Sequence, residues 1–599
     1  MGIRDLLRKA DKAITLSANE ENHERTDSWS NRDLIPLPPQ YVAGCTQESL
    51  TNGHFQQAKD LGAFEYYGYW SLGSLNVAAW QAPSSFLTEG LSVGQTMAVI
   101  LIGRSIVAFF STLIAWCGLR WHIGFTIQNR FTWGMRGSYI PLLQRALLNF
   151  IWNANQCWTG GKLVAVCITA VFPSFQNLNQ QKLPGNTPAT VTEMLGFFLF
   201  WFFSIPFLWI PPEKFRAPFL VTCIYCGAAM LAMLIWSLSV ARGVGPVFYK
   251  GSTIPSSSSS WLWSTSWIML KCINSTIGGK AAGMTNGSDF SRYAKSPHQA
   301  RRYIIGTITC LVGTGTIVSF IGLVVTAAAQ KIYGTIYWNP PDLLLRMMQE
   351  DDGSIASSKA RAGVFFLAMG FAFTSGFENI CGNAVAGGID LAGIFPRYIN
   401  IRRGAIITFF AAWIVQPWQL INRAATFVTV LSSFSVFLAP LMGIMTCDYF
   451  LIRERKIKLS WLYELRGGYF FHHGMNWRCL PVWIAGWAPT VGGLSVTVQG
   501  KKLEPKPLYE VYYISFFVGW FISFILFYIV NLIFPPPNVD ETDDTDVFGA
   551  FSQDECKRMG IVPLEPSRAP SAVDSNSADE KLGGSDSESV RVSGLEKSA

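Results

Sequence analysis

Trp152 and Gln156 stand four residues apart in the apolar run FIWNANQCWTGGK, so they share one face of a helix. An indole beside a primary amide suits a flat, hydrogen-bonding heterocycle: the ring stacks and the amide reads donors and acceptors. An interfacial Trp belt is the alternative, although Trp152 falls well inside the run. Trp158 is expected close to both. A second polar set lies in FAFTSGFENICGNAVAGGIDLAG, with Thr374, Ser375, Glu378, Asn379, Asn383 and Asp390. A carboxylic acid in so apolar a helix is costly and is by default a functional group. Lys280 and Lys162 are candidate counter-charges, and a purely structural Glu378–Lys pair is the competing reading.

The elements that hold these residues are set by composition. Of 599 residues, 50% are hydrophobic and 14% charged, against about a quarter charged in soluble proteins. Runs at 197–210 and 516–534 are too long and apolar for globular strands, and the second can cross a hydrocarbon core of about 30 Å. A soluble enzyme and a fibrous or disordered chain are excluded. The net charge of +8 calls for no nucleic acid, because membrane proteins gather Lys and Arg in cytoplasmic loops. The six His lie outside the apolar runs, and neither metal-ligand spacing nor a phosphate loop is present. Twelve Cys make no disulfide framework: several sit in apolar runs, and Cys223-Ile-Tyr-Cys226 lacks the soluble context of a redox motif. The N-terminal MGIRDLLRKADKAITL has no apolar signal-peptide core, so the first span is expected to direct insertion.

Hydropathy predicts an all-α membrane protein with twelve transmembrane helices, near 65–88, 93–119, 138–171, 191–211, 217–240, 262–286, 302–329, 362–388, 404–421, 424–452, 480–498 and 508–534. Links after even-numbered spans hold 18 Lys and Arg, and those after odd-numbered spans about 11. With a basic N-terminus, this places both termini in the cytoplasm. The organisation expected is a cytoplasmic segment (1–64), spans one to five (65–240), spans six to ten (241–452), spans eleven and twelve (453–534) and a tail (535–599). The tail is acidic, Ser-rich and poor in aromatics, which predicts disorder. It is either inert or a target for phosphorylation or ubiquitination, with Lys557, Lys581 and Lys597 as acceptors.

Two spans break the rules for lipid-facing helices. Span one carries Ser71, Gly73, Ser74, Asn76, Gln81 and Pro83; span six carries Gly278, Gly279 and Lys280 at its centre. They are five spans apart. Discontinuous helices at corresponding positions of two halves point to a transporter built from inverted repeats, with backbone groups at the breaks open to substrate and ion. Gly-rich packing alone would leave similar residues. The matched positions favour the transporter.

The stretches NRDLIPLPP, SLGSLNVAAWQAPSSFLTEGLSVGQ, WNANQCWTGGK, GGKAAGMTNGSDFSRYAKSP and ENICGNAVAGGIDLAGIFPRYINIRRG together resemble the nucleobase–cation symporter-one family, in its fungal uracil/allantoin permease-like branch. The resemblance covers roughly residues 31–534. It implies an amino-acid-transporter-like fold of two inverted five-helix repeats plus two added helices, with substrate held between spans one, three, six and eight. It assigns Trp152, Gln156 and Asn383 to substrate, and puts Lys280 where bacterial members carry an aromatic residue, so that a charged donor faces a substrate carbonyl. Backbone near the breaks at Ser74–Asn76 and Gly278–Gly279 completes the implied site. Sodium-coupled relatives place hydroxyls at positions matching Phe377 and Glu378. Phenylalanine offers no oxygen, so a proton is the expected coupling cation and Glu378 its carrier; no other cofactor is implied. The cargo implied is uracil, allantoin or a related nucleobase-like heterocycle, imported across the plasma membrane by alternating access. A thiamine, nucleoside or nicotinamide-riboside permease, or a transport-inactive sensor, are the alternatives. The polar stretch 40–61 departs from the family pattern.

Overall fold

The computed structural model describes residues 67–564 apart from 69, 72, 182, 186, 211–215, 255–264, 293–298, 351–354, 356, 357, 422 and 500–506, together with 11, 15, 16, 29 and 34–36. The stretch 40–61 and the end of the tail, 565–599, lie outside the described residues. Among the described residues the chain is helical, with no strand beyond isolated bridges.

In chain order the main helices are α1 (Val77–Thr88), α2 (Val93–Trp121), α3 (Phe125–Trp133), α4 (Tyr139–Val171), α5 (Val191–Trp209), α6 (Leu220–Ala241), α7 (Thr265–Gly278), α8 (Ala281–Thr285), α9 (Gly287–Ser291), α10 (Ala300–Tyr333), α11 (Ser358–Ile394), α12 (Ile401–Val415), α13 (Ala424–Ile452), α14 (Cys479–Val498), α15 (Ser515–Ile533) and α16 (Gln553–Met559), with further short helices and turns between them. Among the described residues, α2, α5, α6, α10, α11, α13, α14 and α15 are each long and apolar enough to cross a membrane, and they coincide with eight of the expected spans. A ninth candidate is α4 with the turn Pro173–Gln180, bent from it by 119°.

The other three expected spans are short or interrupted. Span one unwinds at 73–76 and resumes as α1. Span six divides into α7 and α8, with α9 directly after it. Span nine is α12, whose 15 residues rise about 22 Å at about 1.5 Å each. It ends where Gln416 takes a left-handed backbone. The nine-residue α3 was not expected; all of it is buried, and its first amide, Phe125 N–H, donates to Asp289 Oδ1 at 2.9 Å.

Local signals start the helices. Ser92 with Gln95 and Thr190 with Glu193 form capping boxes at α2 and α5, satisfying amides that have no partner within the first turn. The outer faces are apolar: Phe203 on α5, Ile235 on α6 and Leu532 on α15 are all exposed, as surfaces solvated by lipid chains require. At the centre, α4 packs against α5, α11 and α12. A Cβ at Gly161 would stand 2.4 Å from the Phe197 Cα, so only glycine lets α4 and α5 cross this closely.

The expected disorder from residue 535 does not hold for the described part of the tail. Asp540 and Glu541 accept from Lys456 (2.8 Å) and Lys458 (2.9 Å), and Asp543 accepts from the Ser460 hydroxyl (2.5 Å). Phe548 packs at a tilt against Tyr463 and Phe551 edge-on against Trp121, at centroid distances of 4.8 and 6.1 Å. A Ser552–Glu555 capping box starts α16, and the same Glu555 reaches His122 Nε2 at 3.3 Å. Composition averaged over the whole tail hid two aromatic residues and a local S-x-x-E signal.

Candidate functional site

The two broken helices meet at their breaks. At Gly278 a Cβ would stand 2.0 Å from the Leu431 carbonyl oxygen, so the last turn of α7 lies directly on the α13 backbone and only glycine fits. The chain leaves helical geometry through Gly279 and re-enters it at α8, where Lys280 is the N-cap with φ −115°. From there the Lys280 ammonium donates to the carbonyl of Gly73, in the unwound stretch of span one. Glu378 and Arg104 are the charged side chains that act on it. Ser74, also in that stretch, is fully buried with its hydroxyl against the Cys310 thiol.

Asn76 ends the break and caps α1. Its Oδ1 accepts from Ala79 N–H at 2.7 Å, so its Nδ2 points away from the helix, and there it donates to Glu378 Oε1. Gln156 Nε2 donates to Glu378 Oε2 at 2.9 Å. One carboxyl group from span eight is thus held between an amide at the break of span one and an amide on span three. The predicted residues Asn76, Gln156 and Glu378 form one hydrogen-bonded unit.

Glu378 is also where span eight loses its regular helix. Residues Asn379–Val385 form a wider turn within α11, a local irregularity common at functional sites. Asn383, in that turn, donates to Asn379 Oδ1 at 3.0 Å. The Trp152 ring is 9% exposed and lies 5.9 Å from the ring of Phe434 on α13. Phe377 packs edge-on against Phe207 at 5.6 Å.

Three expectations need correction. Trp158 is not near Trp152 and Gln156; it joins Phe197 and Trp418 in an aromatic cluster, because two residues past Gln156 a helix has turned to another face. Lys162 is no counter-charge to Glu378: it pairs with Glu193 (3.0 Å) and Asp342 (2.5 Å). Asp390 belongs to a separate cluster. Arg145 binds it through Nη2 at 2.5 Å and binds Asp289 through Nη1 at 2.8 Å, with all three side chains essentially buried. Arg145 and Arg104 escaped the sequence reading, although an Arg inside an otherwise apolar run was the signal available.

Comparison with known proteins identifies the family. The family described as permease for cytosine/purines, uracil, thiamine, allantoin matches residues 56–519. The thiamine transporter THI72 of Saccharomyces cerevisiae is 31% identical, over 86% of this chain and 84% of that protein. The allantoin permease of the same organism is 31% identical, over 82% and 76%. In fold, the chain is similar to Mhp1, a nucleobase-cation-symport-1 family transporter. Against its inward-facing conformation the TM-score is 0.63, with 21% identity over 90% of this chain and 100% of that one; against a closed conformation with bromovinylhydantoin bound it is 0.57. The chain therefore belongs to the nucleobase–cation symporter-one permease family and is a multi-pass membrane transporter, not an enzyme.

Proposed function

We propose that the protein is a proton-coupled importer of uracil, allantoin or a related nucleobase-like heterocycle. In this reading it resides in the plasma membrane, crosses it twelve times with both termini in the cytoplasm, and contains inverted repeats over 65–240 and 241–452. Substrate stacks on Trp152 and is hydrogen-bonded by Gln156, Asn383 and Lys280. The cation is a proton on Glu378.

The observation that carries the reading is the cradle of Glu378. Its two oxygens receive N–H groups from two neutral amides on different spans, and no cation binds it directly among the ion pairs of the described residues. Asn76 cannot turn over without losing the cap of α1. A proton therefore goes to Oε2, and Gln156 must rotate its amide to accept it. Because Gln156 also faces the substrate region, its rotation ties protonation to what substrate meets. Phe377, packed against Phe207, offers no oxygen to a metal cation, which supports a proton over sodium.

Radiolabelled uptake in a permease-deficient yeast tests this, run with a protonophore and with sodium replaced. The expected result is uptake of uracil or allantoin that collapses with the protonophore and ignores sodium. Full, pH-dependent uptake by Glu378→Gln would falsify the proton assignment. Thiamine is the second reading, favoured by the similarity to thiamine transporters; uptake competed by thiamine and not by uracil or allantoin would replace the first.

A further inference from the structure

Behind Asn383 runs a chain of buried amides that ends on main-chain oxygen. Asn153, on α4, donates through Nδ2 to the carbonyl of Thr408 on α12 at 2.8 Å, with that of Phe409 at 3.4 Å. Asn379 donates through Nδ2 to Asn153 Oδ1 at 2.9 Å, with the Cys157 sulfur 3.2 Å away. Asn383 donates to Asn379 Oδ1 at 3.0 Å. Asn153 and Asn379 are 0% exposed, whereas Asn383, at 9%, is the member nearest a surface.

An amide has one donor end and one acceptor end, and a backbone carbonyl can only accept. The direction of the chain is therefore decided at its buried terminus. Asn153 must turn its NH2 to α12, which leaves its oxygen for Asn379; that fixes Asn379, and Asn379 fixes Asn383. Reversing Asn383 alone would set two carbonyl oxygens face to face in a dry interior, where an unpaired polar group is most costly.

We propose that Asn153 and Asn379 are positioning residues that lock the amide of Asn383 so that its Oδ1 is offered to substrate. The inference rests on the assignment of Asn383 to the substrate site. Position 383 then selects a ring that presents an N–H donor there over one that presents a bare ring nitrogen. Uracil and cytosine are the probe pair, because they have nearly the same shape while the ring N3 position is a donor in one and an acceptor in the other.

The experiment is competition by unlabelled uracil and cytosine against whichever of labelled uracil, allantoin or thiamine the wild-type protein takes up, with fluorescent fusions reporting delivery to the cell surface. Wild type is expected to favour uracil by about tenfold or more, the scale on which unpaired polar groups discriminate. In Asn153→Leu, of similar shape but without polar atoms, that ratio is expected to fall to within about threefold, because Asn383 is free to turn. Asn379→Leu should do the same. Asn153→Ser retains a hydroxyl that donates to Thr408 and accepts from Asn379, and should keep most of the preference. If Asn153→Leu fails to reach the surface, Asn153→Ala takes its place. Uptake with an unchanged ratio in the Leu or Ala variants, or no uracil preference in wild type, overturns the positioning role and leaves the functional reading standing. No uptake of any label by wild type overturns both.

Discussion

Glu378 and Asp390 lie on the same helix, both as carboxylates surrounded by protein, yet their neighbours differ in kind. Asp390 faces a guanidinium: Arg145 reaches it through Nε and Nη2, holds Asp289 with Nη1, and lies 4.0 Å over the ring of Phe125. Asn149 adds a bond at 3.1 Å. Glu378 faces two neutral amides, and the nearby Lys280 spends a hydrogen on the Gly73 carbonyl. Fixed opposite charge makes the first cluster a rivet between α4, α9 and α11. In the second cluster the direct hydrogen-bond partners are uncharged, so the carboxyl group is held by amides and not by an ion pair, which suits the proposed coupling role.

The sharpest way to break this comparison is Arg145→Ala. Removing one partner of a buried pair costs about 3–5 kcal/mol, and here two carboxylates lose it. We expect little folded protein by fluorescence-detected size exclusion, with recovery in the Arg145→Leu/Asp289→Asn/Asp390→Asn variant. Glu378→Gln, by contrast, should fold and reach the surface at near wild-type levels while initial uptake falls at least about tenfold, on the scale typical for lost proton-transfer groups. Its remaining uptake should stay flat across external pH, where wild-type uptake rises as pH falls. If Glu378→Gln fails to fold as Arg145→Ala does, the two carboxylates are alike and the distinction is lost.

A middle-sized effect is expected at the helix break. Gly278→Ala forces a methyl onto the Leu431 carbonyl, an overpacking strain of about 1–3 kcal/mol. It should lower the melting temperature and the maximal uptake rate with less change in KM. The smallest effect belongs to the tail. Lys456–Asp540 is an exposed pair, and Lys456→Ala should leave the melting temperature and uptake close to wild type, because solvent screens such pairs. Glu555→Ala removes the glutamate half of the α16 capping box and the His122 contact, and should speed proteolysis of the tail well before it alters uptake.

Much of the architecture was legible because the solvent is harsh. Any span of α5 or α15 type must be apolar over most of its length, and Asn76, Gln156 and Glu378 stand out against such runs, although Arg104 on α2 and Arg145 on α4 went unnoticed. The pairing of charges was not legible. Lys162 and Lys280 read alike as counter-charges, but the side of the helix and the depth along it send Lys162 to Glu193 and Asp342. Trp158 misled for the same reason, since two residues along a helix change the face. The tail misled differently: its mean composition is that of a disordered chain, and only the basic surface of Lys456 and Lys458 gives its acidic residues somewhere to fold.

The sequence by itself determined the membrane as solvent, the helical class, the two broken spans and the amide and carboxyl groups available for chemistry, because hydrophobic length and helical periodicity are local properties of the chain. Only the tertiary structure decided which partner each polar group has. That choice depends on residues hundreds of positions apart: Asn76 with Glu378, Arg145 with Asp390, Asn153 with the Thr408 carbonyl. In a medium without water every such group must find its partner within the protein, so the packing of the helices, not their sequences one at a time, separates the carboxylate held by an arginine from the one held by two amides and proposed to carry the proton.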